Sequence, residues 1–273
     1  MSNPDKAAKA RPVLTSLTGS GRLATRTWKD VWRNKKLLLL IVAIVQIPAI
    51  ILALLTGSSS TTGSSNNIDA YTNFAFIFMN VALLYVAVSW HKGDNSPSLK
   101  RAYYDSSKFV LRFLLATAVV ILGLLPALFG FVVYAVASAA GSGAVTSFGE
   151  QALIISFCLL ISLPSYWFLN RYLLGPVLVV TEDLDPLKAL ARSRRLSLGR
   201  FWRVLARLLM LLLVIIVVAL AVLAPGFILT LLVPAAGGWA TVYFEVVYAL
   251  IILPYIAVYL VNLYHDLVKT TDQ

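Results

Sequence analysis

Between residues 186 and 207 the chain gathers its clearest set of side chains for binding a ligand by charge. Lys188, Arg192 and Arg195 recur at i, i+4 and i+7, a spacing that places them on one face of an α-helix, with Arg194 beside them. Arg200, Arg203 and Arg207 follow around Trp202. Guanidinium and ammonium groups in such a row bind phosphate, and a base beside an apolar segment first meets the phosphate of an anionic lipid headgroup. Lys188, Arg192, Arg194, Arg195, Arg200 and Arg203 are therefore the candidate headgroup contacts. The competing reading of the same bases is topology signalling and surface anchoring.

Other chemistry has little to work with. Glu182, Asp183 and Asp185 precede the basic helix and suggest a divalent cation, but acids are also favoured at a helix N-terminus by its partial positive charge. Cys158 is the single cysteine, so neither a disulfide framework nor a thiolate cluster can form. The two histidines, His91 and His265, each stand just beyond an apolar run. Metalloprotease, nucleophile-elbow and P-loop patterns are missing. The expectation is a non-catalytic protein with no cofactor and no metal.

The elements that must carry these residues are membrane spans. Hydrophobic residues are 59% of the 273-residue chain and charged residues 13%, against about 25% charged in ordinary soluble domains. Mean hydropathy is +0.83. Apolar runs at 37–55, 73–90, 113–137, 151–170, 208–232 and 244–264 approach or exceed the ~20 residues that cross a ~30 Å hydrocarbon core. The fold class expected is all-α: a polytopic protein of six transmembrane helices with interfacial amphipathic helices. A basic N-terminal segment (1–36), the membrane domain (37–264) and a short tail (265–273) make up its length. The first apolar run reads as an uncleaved span, since the long basic segment before it is unlike a signal peptide.

All 23 Lys and Arg residues fall in 1–36, 91–112, 171–207 and the tail, the alternating segments between spans. The opposite side carries only the acids Asp69, Glu150 and Glu245. That is the positive-inside pattern, and it places both termini in the cytoplasm and the protein in a cell membrane, the bacterial cytoplasmic membrane by expectation. The net charge of +11 is thus committed to membrane lipids, anionic ones first, and not to nucleic acid. Self-association or a second membrane protein stays open as a partner.

No Asp, Glu, Lys, Arg or His lies mid-span, which disfavours an ion-coupled carrier. The deep polar residues Gln46, Asn80, Ser156 and Ser162 read as interhelical hydrogen-bonding groups. Pro48, Pro126, Pro164, Pro225 and Pro254 predict bends in five spans. They keep alive a transporter or channel for a neutral or lipidic solute, with an intramembrane lipid-processing enzyme as a more distant alternative. A threefold parallel repeat is also expected: a basic amphipathic segment, an outgoing span and a return span. Its units open near Arg22, at Ser96-Pro97 and at Asp185-Pro186, where Ser and Asp suit an N-cap and proline the first helical position.

Within 171–207, Pro176, Glu182-Asp183, the Ala189-Leu190-x-x-Ser193 core and Gly199-Arg200-Phe201-Trp202 form a pattern. It resembles the membrane domain attached to some glycerophosphodiester phosphodiesterases and related stand-alone six-span bacterial proteins of unknown function. The resemblance implies a membrane module and brings no catalytic residue, because no hydrophilic segment here is long enough for the phosphodiesterase barrel.

Overall fold

A computed structural model describes residues 19–55, 66–94, 97–140, 148–232 and 237–271. Among them every regular element is a helix: α1 (Ser20–Arg33), α2 (Lys35–Leu55), α3 (Asn66–His91), α4 (Leu99–Ser107), α5 (Val110–Leu122), α6 (Leu125–Ala140), α7 (Phe148–Tyr172), α8 (Gly175–Thr181), α9 (Pro186–Ser197), α10 (Phe201–Leu232) and α11 (Gly237–Thr271). Four stretches are long and apolar enough to cross a membrane: Phe74–His91, Gln151–Thr181, Phe201–Ile228 and Val246–Thr270. A bent pair, Val110–Leu122 with Leu125–Ala137, makes a fifth if it is one span. The outer connections expected around 57–67, 138–149 and 234–239, and Ser96, lie wholly or partly outside the described residues.

Burial sorts the long helices into centre and rim. In α11, 61% of the apolar stretch is buried, and in α3 50%, whereas α10 buries only 11%. Met79, Val81, Ala82, Leu83, Val86 and Ala87 of α3 meet Val258, Tyr259, Val261 and Leu263 of α11 in one core. Leu209, Leu212, Leu213, Val217 and Leu220 of α10 stay exposed, as do Leu159, Leu160 and Leu163 of α7. An apolar exterior around an equally apolar core suits acyl chains as the surrounding solvent.

Several boundaries differ from expectation. The run 113–137 is not one helix: it breaks after Leu122, and α5 and α6 meet at 51°. Gly123 lies against the Phe168 ring of α7, so close that a Cβ there would collide with the ring carbons. Pro126, second in α6, has no amide hydrogen, and the next amide, Ala127 N–H, donates to Ser165 Oγ of α7 at 3.0 Å. Pro48, Pro164, Pro225 and Pro254, by contrast, lie inside continuous helices. The last two long helices also outrun the predicted 208–232 and 244–264, starting α10 at Phe201 and ending α11 at Thr271. Finally, α4 is capped by Ser98, whose hydroxyl accepts the Arg101 amide, and not at Ser96-Pro97.

Candidate functional site

The basic helix α9 begins as its residues dictate. Asp185 is the N-cap in extended conformation and Pro186 occupies the first turn. The Asp185 carboxylate makes no cap hydrogen bond and pairs instead with Lys188 Nζ at 3.0 Å. That hydrogen bond holds the carboxyl below its ordinary value. Asp183 before it adopts φ 53°, a left-handed conformation that Asp tolerates better than most residues. Its carboxylate accepts from Arg112 of α5 at 2.9 Å. Glu182 accepts from the Tyr264 hydroxyl of α11 at 2.8 Å and stands 3.6 Å from Arg192 Nε. Each of the three acids thus has a cation partner in the protein. Among the described residues no three His, Cys, Asp or Glu side chains group as metal ligands.

The buried face of α9 is Ala189, Leu190, Ser193, Leu196 and Ser197. It packs on α7, α8 and α5. Leu187, Ala191 and Leu198, which helical spacing places with Leu190 on an apolar side of α9, are exposed at the protein surface. The serines explain which face turns inward. Ser193 Oγ donates to the Arg171 carbonyl at 2.7 Å and Ser197 Oγ to the Asn170 carbonyl at 3.3 Å. Both carbonyls belong to the last turn of α7, where the helix leaves acceptors unfilled. Helix α9 is therefore a cap on α7 as well as a carrier of charge.

The six candidate contacts take different roles. Arg194, Arg195 and Arg203 are exposed, and Lys188 is exposed while paired to Asp185. Arg192 is half-buried beside Glu182. Arg200 turns inward, donating from Nη1 to the Leu267 carbonyl (3.2 Å) and Thr270 Oγ1 (2.7 Å), and from Nη2 to the Thr270 carbonyl (2.5 Å). A cation on the last carbonyls of a helix offsets their partial negative charge, so Arg200 is a clasp on α11.

Two arrangements are not foreseen by the sequence. Arg207, 3% exposed, pairs with Asp266 at 2.5 Å, and the Tyr259 hydroxyl donates to the Arg207 carbonyl at 2.8 Å. His91 and His265 stack with ring centroids 4.2 Å apart and planes 9° from parallel. Their shared position beyond two span ends is the one available signal. Asn80, Ser156 and Ser162, expected to bond between helices, each donate to a carbonyl four residues back in their own helix. Asn262 bridges instead, donating to Thr27 Oγ1 (3.1 Å) and Asp30 Oδ2 (3.3 Å) of α1. Comparison of the chain with protein-family models, curated proteins and solved structures finds no match in any of the three.

Proposed function

We propose that the protein is a non-catalytic, six-span module of the cytoplasmic membrane whose basic inner face holds anionic lipid headgroups. The observation that carries this reading is the exposure of Arg194, Arg195 and Arg203 at one end of the bundle, beside cations already fastened to protein partners. Bases with no structural duty at a membrane surface are worth about 1 kcal/mol each toward anionic lipid. The six-span count adds two elements to the four long stretches: the 21-residue α2, and α5 with α6 taken as one broken span. The threefold order is supported by α1, α4 and α9, each a short polar helix placed before an outgoing one. The resemblance to the phosphodiesterase-associated membrane domain fits a module of this kind, since Ala189, Leu190 and Ser193 of the shared pattern are all buried. Both termini are cytoplasmic in this reading.

The test is native mass spectrometry of the protein and its Arg194→Ala/Arg195→Ala/Arg203→Ala variant, purified with copurifying lipid. Phosphatidylglycerol retention should fall in the variant, and equal retention would sink the reading. A second reading, a pathway for a neutral or lipidic solute, draws on the break between α5 and α6. The Phe168 ring fills the space beside Gly123 at that break, which favours a packed joint over a gate.

A further inference from the structure

The last turn of α3 meets α11 near its end through the only two histidines of the chain. The His91 and His265 rings lie flat on one another, but their nitrogens are not alike. His91 is exposed, and its Nδ1 hydrogen is donated to the Ala87 carbonyl at 3.0 Å, which leaves Nε2 to take a proton. His265 is half-buried, its Nε2 covered and without a hydrogen-bond partner among the described residues. Tyr264 packs edge-on against the same ring with centroids 5.0 Å apart.

The surroundings are one-sided in charge. The groups that act on His265 are Lys269 of its own helix, Lys92 just beyond α3, Arg26 of α1 and His91 itself. The acids of the adjoining segments are engaged: Asp30 by Asn262, Asp94 by Arg101, Asp105 by Tyr85 and Arg101, Glu182 by Tyr264, and Asp266 by Arg207. One proton on the pair is accommodated. His91 ends α3, where a cation meets the partial negative charge of the helix terminus, and a neutral partner ring does not repel it. A second proton is not accommodated. It sets two like charges on rings 4.2 Å apart and leaves a charged His265 with a covered nitrogen that has no acceptor.

We propose that the His91–His265 stack is a proton-sensitive latch, holding the end of α3 to α11 while at most one ring is charged and releasing it when both are. The latch goes beyond the headgroup reading and does not rest on it. Histidine is the side chain suited to such a device, since its ordinary titration lies near pH 6.5 and neighbouring charges move it readily. The release also has a route into the basic helix. Tyr264, which packs on His265, donates to Glu182, and Glu182 stands beside Arg192 of α9. A His265 ring that turns toward water leaves Tyr264, and with it the tie from α11 to the segment before α9, without its neighbour.

With only two histidines in the chain, full-length protein carrying isotope-labelled histidine gives two ring signals to follow by NMR in mild detergent. Between about pH 8 and about pH 4 the rings should titrate in separate steps, about one pH unit or more apart. Amide hydrogen exchange, corrected for its intrinsic pH dependence, reads the release. Residues 87–91 and 262–268 should lose about tenfold protection one pH unit below the second step. His91→Phe/His265→Phe keeps an aromatic stack that takes no proton, so its protection at these residues should hold over the same range. His265→Gln leaves one histidine, which should titrate once with protection retained. The wild-type titration and exchange decide the matter even where a variant fails to fold. One shared step for both rings, unchanged protection across the second step, or an equal loss in the Phe variant would each overturn the proposal.

Discussion

Arg207 and Asp266 show what one pair of charges does where the ends of two long helices meet. Removing one partner from a buried ion pair leaves the other charge stranded, whereas replacing both with apolar groups is often tolerated. Arg207→Met should therefore cost about 3 kcal/mol, and Arg207→Met/Asp266→Leu should recover most of it, as read by unfolding of the purified protein in detergent. Tyr103 of α4 makes a simpler tie, its hydroxyl donating to the Ile41 carbonyl of α2 at 2.7 Å. Burial pushes that hydroxyl from 10.0 up to about 12. Because the folded value is the higher one, its contribution is complete below pH 10 and is lost as pH rises through about 12. An ultraviolet titration should show one fewer late-ionising tyrosine in Tyr103→Phe than in wild type. The exposed bases Arg194 and Arg195 are legible from local spacing because exposure is a local property of an amphipathic helix. The roles of Arg200 and Arg207 are not, since their partners lie 52 to 70 residues away on α11.

At the scale of elements, the joint between α5 and α6 is where lipid would be least forgiving. An unpaired amide in a hydrocarbon setting costs a few kcal/mol, and Ser165 supplies the acceptor for Ala127. Ser165→Ala should destabilise by about 1–3 kcal/mol, while Ser165→Thr should retain the bond. Gly123→Ala should cost a similar amount by driving a methyl group into the Phe168 ring, which already packs on Tyr172 with centroids 4.4 Å apart. Either effect would appear as a lower unfolding temperature without loss of helix. The joint is hidden in the sequence because the apolar run Val119-Val120-Ile121-Leu122 resumes at once with Leu124-Leu125, giving hydropathy no reason to dip. Only Gly123 and Pro126 hint at it. Helix α9 is legible only in part for a different reason: sequence periodicity marks an apolar side, but hydropathy scores Ser193 and Ser197 as surface although they are buried as hydrogen-bonding caps.

For the whole molecule, the segregation of bases carries the orientation. Reporter fusions at residues 62, 143 and 237 should report the exterior and fusions at 100, 190 and 273 the cytoplasm; one reversal would break the six-span reading. The all-helical class is plain from composition alone, because apolar runs of this length have few other solutions. Which helices stand at the centre is not, since α10 has the highest mean hydropathy of the four long stretches and is the least buried. In lipid, hydropathy measures exposure to acyl chains as readily as burial in protein. The clasp of Asn262 on Thr27 and Asp30 adds a constraint in time. Those residues are 235 and 232 positions apart. At about 5–20 residues per second of synthesis, α1 waits roughly 10–50 s for the helix that receives it. A nascent chain stopped before α11 thus displays α1 undocked, with Leu23 and Thr27 uncovered, and is open to recognition as unfinished.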